Sequence, residues 1–189
     1  MFILKKKYFL IIESIKDINL KNIKIRNKFY IIYRNNKKKE ELNDLVKFRQ
    51  VCKIKSIKFF IANNIELARL VSSDGIYLSS FNKELKFLNY KCQNFEIIGS
   101  AHNRKEIELK IKQGCSHILL SKLFVVNYDK SAAILGIIKF NNLTKITKKL
   151  IPLGGIANHN LNIMRNVLTE GFAILSEVKK KPAKIFSRL

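Results

Sequence analysis

Acidic residues are scarce in this chain. Asp and Glu number 14 against 37 Lys and Arg, a formal charge of +23 over 189 residues. Such a balance is the electrostatic footprint of a protein that binds phosphate backbones. Two further scarcities argue against that use. Arginine, the fork suited to base edges and phosphates, supplies only seven of the basic residues. Nor do the lysines gather: Lys5 to Lys7, Lys37 to Lys39, Lys148 with Lys149, and Lys179 to Lys181 fall in separate segments. The chain is also crowded with Ile and Asn, so the excess reads as compositional drift and a solvated lysine surface. A nucleic-acid-associated protein is kept as an alternative from another class.

Cysteine is equally sparse. Cys52, Cys92 and Cys115 are far apart, odd in number and in no CxxC spacing. That excludes a disulfide framework or a structural zinc site and points to a reduced, cytoplasmic setting. Long apolar runs are missing too. The longest, Tyr8–Ile12 and Ala132–Ile138, have the length of core strands, well short of the ~18–20 residues a membrane span needs. Met1–Ser14 carries lysines but only a short apolar stretch, and no small-residue cleavage site follows, so no secretory signal is expected. With no linker or low-complexity tract, residues 1–189 read as a single domain.

What the chain does have is a repeat of short β-rich runs. They lie at Tyr8–Ile12, Phe29–Tyr33, Lys58–Ala62, Gly75–Leu78, Glu96–Ser100, His117–Ser121, Leu150–Leu153 and Phe172–Ser176, with starts 17 to 33 residues apart. Hairpins would leave two to five residues between strands, whereas helical crossovers need a dozen or more. Several runs are continuously apolar, as strands covered on both faces are. Helical patterns lie between them at Lys39–Lys53, Asn103–Gln113 and Asn160–Leu168. The second has Asn103 as cap, Glu106 three places on, a Glu106–Lys110 pair at i,i+4 and Gly114 at the C-cap. Gly171 is read as closing the third. Glu13–Lys28 is thin for a first helix, and the tail after Pro182 is short for a last one. Eight βα units averaging about 24 residues predict a compact (β/α)8 TIM barrel, with an open doubly wound sheet as the alternative.

Barrel chemistry sits on the loops after the strands. After the seventh run comes Leu153-Gly154-Gly155-Ile156, where two glycines let backbone N–H groups approach an anion without Cβ obstruction. The eighth run ends at Ser176. Together they form a candidate phosphate site, with a plain turn as the bland alternative. His117, inside a strand, reads as packed, and His159 as a surface residue.

The ordered series Ile32-Tyr33-Arg34-Asn35-Asn36, Ala62-Asn63-Asn64, Asp74-Gly75-Ile76-Tyr77-Leu78, Gly99-Ser100-Ala101-His102, Leu123-Phe124 and Gly154-Gly155-Ile156 resembles the thiamine phosphate synthases and their TenI-type relatives, over about residues 8 to 178. The resemblance implies a (β/α)8 barrel that joins a pyrimidine methyl diphosphate to a thiazole phosphate and releases pyrophosphate. It implies Mg2+ as cofactor, a phosphorylated thiazole or pyrimidine as small-molecule partner, and no membrane. It leaves a homo-oligomer open.

Carried over residue by residue, the match is partial. Of a Q-x-R-x-K pattern the chain keeps Arg34, with Ile32 and Asn36 at the other two places. Of N-D it keeps Asn63, followed by Asn64. Where the family has G-Q-x-D, this chain has Ser79-Ser80-Phe81-Asn82. Both metal carboxylates are therefore asparagine, at Asn64 and Asn82, and hard dications prefer carboxylate. The resemblance implies catalytic roles for Arg34, Ser100 and Lys122. It places Asn63, Asn64, His102, Lys130, Gly154, Gly155 and Ser176 in substrate or phosphate binding. Lys122 stands where the TenI branch carries its acid/base histidine, and a solvated or phosphate-pairing lysine is the bland alternative. A non-catalytic binding protein is the second reading for the whole chain.

Overall fold

The computed structural model describes residues 6–35, 40–87, 95–126 and 133–175. Eight parallel strands close into a barrel in sequence order. They are β1 (Lys7–Ile12), β2 (Phe29–Tyr33), β3 (Lys58–Ala62), β4 (Gly75–Leu78), β5 (Glu96–Ala101), β6 (His117–Ser121), β7 (Leu150–Leu153) and β8 (Gly171–Ile174). Closure comes from β8 pairing back on β1, with Ala173 opposite Phe9. The architecture is the expected barrel and not an open sheet.

The continuous apolar runs are explained by burial on both faces. Tyr8, Leu10 and Ile12 of β1 face the helix layer, while Phe9 and Ile11 face the barrel interior. That interior is unusually aromatic, where Val, Ile and Leu dominate most barrels. The Phe9 and Tyr30 rings stack at 4.6 Å, and Tyr30 and Phe60 at 6.0 Å. A filled interior leaves only the rim for a ligand.

The amino-terminal end of the barrel is closed by ionic contacts. His117 Nε2 lies 3.0 Å from Glu170 Oε1 and its Nδ1 lies 3.2 Å from Glu96 Oε1. Lys7 pairs with Glu170 at 3.0 Å, and Lys58 with Glu96 at 2.6 Å. His117 is packed, as its place inside a strand predicts.

Among the described residues, four α-helices lie outside the strands: α1 (Leu42–Ile54), α2 (Ile65–Leu70), α3 (Arg104–Lys112) and α4 (Gly136–Leu143). The α3 cap follows the sequence reading. Asn103 Oδ1 accepts from Glu106 N at 3.0 Å, Glu106 accepts from His102 N at 2.8 Å, and Gly114 adopts φ +74°.

Several expectations need correction. Lys110 does not pair with Glu106; it turns inward and is fully buried. Glu13–Lys28 forms two 3-10 turns, Ile15–Asp17 and Leu20–Asn22, because Ser14 and Asn19 capture nearby backbone N–H groups and compete with a continuous helix. The Asn160–Leu168 pattern is a 3-10 segment, Asn158–Asn166, in which repeated asparagines weaken α-helix formation. From Gly136 onward, the run read as strand-length is α4, with Ile138 exposed. Gly171 opens β8 and closes no helix; a Cβ there would sit 2.1 Å from Lys7 O. Asn36, Cys92, Lys130, Ser176 and the tail after Pro182 lie outside the described residues.

Candidate functional site

At the carboxyl ends of the strands lies a cavity of about 140 Å³, lined among others by Arg34, His102, Ser121, Lys122, Gly154 and Gly155. Among the described residues, no Asp or Glu lines it. Four elements bring these residues together, as the common face of βα loops predicts.

Arg34 follows β2, and its backbone N–H donates to Ile12 O at 2.8 Å, which fixes where the side chain leaves the sheet. Its Nε is buried with no hydrogen-bond partner among the described residues. An unpaired donor on a permanent cation is costly to bury, and an anion would satisfy it. Beneath it stands Tyr77, from β4, which is almost wholly buried and interacts through its hydroxyl with Ser100 and Arg34. Burial pushes this phenol up, while the Ser100 hydrogen bond and the guanidinium charge pull the other way. The sequence reading did not select Tyr77, since a tyrosine in a strand looks like core. Its place in β4, two registers from a loop rich in polar groups, was the available signal.

Gly154 and Gly155 both occupy left-handed backbone, with φ +97° and +69°. Gly154 O accepts from Phe124 N at 3.1 Å, and Gly155 O accepts from Asn160 Nδ2 at 2.8 Å. No acceptor for the two glycine N–H groups is found among the described residues. A Cβ on Gly155 would come within 2.5 Å of Val125 O, whereas one on Gly154 would meet Lys122 Cα at 3.2 Å. Gly155 therefore serves close packing, and Gly154 is the one beside Lys122 in the cavity.

The remaining candidates fall into two sets. His102 Nδ1 lies 2.9 Å from Ser121 Oγ, tying β5 to β6 at the rim, and Ser100 sits inside. The asparagines are already engaged. Asn63 Oδ1 accepts from Ser79 N at 3.0 Å and Ser79 Oγ at 3.1 Å. Asn64 Oδ1 caps α2 through Leu67 N at 2.9 Å, and Asn82 Oδ1 accepts from Glu84 N at 3.1 Å.

The sequence model of a family described as thiamine monophosphate synthase matches residues 4–178. The chain belongs to this family. Among curated relatives, the thiamine-phosphate synthase of Prochlorococcus marinus subsp. pastoris is 27% identical over 169 residues, covering 88% of this chain and 47% of that protein. That of Clostridioides difficile is 23% identical over 150 residues, covering 75% and 69%. The chain spans about half the length of the Prochlorococcus relatives it matches. Among solved structures, a thiamine phosphate pyrophosphorylase from Pyrococcus furiosus superposes with a TM-score of 0.73 at 17% identity, covering 96% of this chain and 92% of that one. A 3-keto-L-gulonate-6-phosphate decarboxylase from Vibrio cholerae superposes at 0.65 with 12% identity, covering 98% and 99%. These two likenesses confirm the barrel. No helix among the described residues is long and apolar enough to cross a membrane.

Proposed function

We propose that this family member binds thiazole phosphate at the Gly154–Gly155 turn and pyrimidine methyl diphosphate beside Arg34, and that it couples the two as a slow thiamine phosphate synthase. The observation that carries the reading is the unsatisfied Arg34 Nε in a cavity that also contains the glycine pair and whose described lining holds no Asp or Glu. In the reaction, the thiazole nitrogen forms a bond to the pyrimidine methylene carbon as the carbon–oxygen bond to the diphosphate breaks. The electron pair of that bond leaves with pyrophosphate. Negative charge gathers on the leaving group, so a cation fixed beforehand lowers the barrier. Arg34 supplies that cation, Tyr77 and Ser100 aim it, and the N–H groups of the glycine turn hold the thiazole phosphate. Lys122, beside Gly154, adds charge to the thiazole-phosphate end, and His102 with Ser121 braces the wall. Lys130 and Ser176 belong to the same proposed site but lie outside the described residues.

The described residues do not fit a Mg2+ ion. The side-chain oxygens of Asn63, Asn64 and Asn82 each already accept a protein N–H, and among the described residues no group of three or more His, Cys, Asp or Glu is placed to hold a metal ion. A hard dication needs free oxygen ligands, preferably charged. The same engaged asparagines favour a second reading, a binding protein that holds these compounds without joining them.

Titration calorimetry with each compound, with and without Mg2+, tests the first half. Thiazole phosphate should bind in either buffer; no binding of any of the compounds would overturn the site. Release of pyrophosphate from the mixture separates synthase from binding protein.

A further inference from the structure

Lys110 and Gln113 are both fully buried, one turn apart on and just after α3. Burying a lysine among neutral groups is costly unless its donors are all used. Lys110 Nζ donates to Ser79 O at 2.7 Å, Asn82 O at 2.8 Å and Gln113 Oε1 at 2.8 Å. Three acceptors at such distances require three N–H donors. Only the ammonium has them; a neutral amine would press its lone pair against an oxygen. Gln113 completes the arrangement, its Nε2 donating to Asn82 O at 3.1 Å and Glu84 O at 2.9 Å. Its amide can face only this way, because a flip would oppose donor to donor and acceptor to acceptor.

Room for the lysine is built into the sheet. A Cβ on Gly99, in β5, would lie 2.7 Å from Lys110 Cδ and 2.8 Å from Cys115 Sγ. The stem crosses β5 where there is no side chain and delivers its charge beneath the segment after β4. That segment closes on itself through Asn82 N to Ser79 O at 3.1 Å, and it reaches the rim through Ser79, whose N–H and hydroxyl both meet Asn63.

We infer that Lys110 and Gln113 form an internal clamp that positions residues 79–84 at the rim, so that a buried ammonium organises this loop without a divalent cation. Three carbonyls from one short loop converge on two side chains, one from the last turn of α3 and one from its C-cap. Lys110 acts as a positioning residue through the loop backbone and does not itself reach the cavity.

The loop part stands on geometry alone; its consequence for ligands rests on the function proposed above. Hydrogen–deuterium exchange of the ligand-free protein tests the loop. Lys110→Met keeps the stem and removes the charge, and should speed exchange of residues 79–84 at least tenfold with β6 to β8 unchanged. Gln113→Leu should give a smaller rise and carries the test if the first variant does not fold. Unchanged exchange in the variants would overturn the clamp. The ligand arm uses pyrimidine methyl diphosphate and thiazole phosphate in EDTA or Mg2+. Lys110→Met should weaken the diphosphate about tenfold and leave thiazole phosphate within twofold, a split that general loss of structure would not produce. Wild-type binding of the diphosphate only with Mg2+ would overturn independence from the cation. Failure of the wild-type protein to bind either compound would sink the proposed function, while the exchange result would still decide the clamp.

Discussion

The two ends of the barrel carry charge in opposite ways. At the amino-terminal end, Lys7 and Lys58 face Glu170 and Glu96 around His117, and each charge meets an opposite one. At the carboxyl end, Arg34 Nε is buried with no hydrogen-bond partner among the described residues, in a cavity whose described lining holds no carboxylate. Paired charges close an end and hold it. An unsatisfied donor such as Arg34 Nε gives up stability and gains a place for an anion. Function is therefore expected where the ledger fails to balance.

The comparison breaks first if the amino-terminal end is not the stabilising one. Burial pushes the Glu96 carboxyl up, but hydrogen bonds from His117, Lys58 and Ser116 and the Lys58 charge outweigh it and hold the group at about 2. A depressed carboxylate contributes stability above its unfolded value, and this is lost as pH falls through the folded one. Between roughly pH 4.5 and 2 the protein should lose on the order of 3 kcal/mol from this group. Urea unfolding across that range would show it, and Glu96→Gln should flatten the dependence. An equally steep curve in the variant would place the acid sensitivity elsewhere.

At the other end the expected effect is on binding and not on folding. Arg34→Met should weaken the pyrimidine diphosphate about thirtyfold, or about 2 kcal/mol, with the urea midpoint unchanged or raised, since the buried unsatisfied donor goes with it. Calorimetry and denaturation on one preparation check both halves. A large fall in stability would mean that Arg34 is paired like Glu96, and the contrast between the ends would collapse.

The glycine pair sharpens the same contrast within one turn. Gly154→Ala should weaken thiazole phosphate about tenfold, about 1.4 kcal/mol, at a modest stability cost from its φ of +97°. Gly155→Ala should chiefly destabilise, because its Cβ would meet Val125 O at 2.5 Å. Equal losses of affinity without loss of stability would show that both glycines face the ligand.

The strands were legible because double-sided burial writes itself as unbroken apolar runs, and β2, β3, β4, β6 and β7 fall on those runs. The rim was legible as places in a repeat: Arg34, Lys122 and the glycines follow strands and Ser100 lies next to the end of β5, so closure brings them together. What stayed hidden depends on direction. Glu106 and Lys110 have the i,i+4 spacing of an exposed pair, and spacing does not record that Lys110 runs inward over Gly99. Asn64 and Asn82 look like ligands until their oxygens are found on Leu67 N and Glu84 N. Short α2 and the 3-10 turns Ile15–Asp17 and Leu20–Asn22 escaped because their apolar periodicity covers less than two full turns.

The smallest effect belongs to Tyr77, and it separates the ends most finely. Its ring packs with the barrel interior, whereas its hydroxyl touches Ser100 and Arg34. Tyr77→Phe keeps the ring and removes only the hydroxyl. A neutral hydrogen bond contributes about 0.5–1.5 kcal/mol net, so affinity for the diphosphate should fall about fivefold, with thiazole phosphate within twofold. Any fall in stability should stay within the same range, since only that one hydrogen-bonding hydroxyl is lost. Combined with Arg34→Met, the two losses should add to less than their sum, since a residue that acts by aiming the guanidinium has nothing to aim once it is gone. Full additivity would give Tyr77 a contact of its own with the ligand. No loss at all would return it to the core, where a reading of the sequence places it.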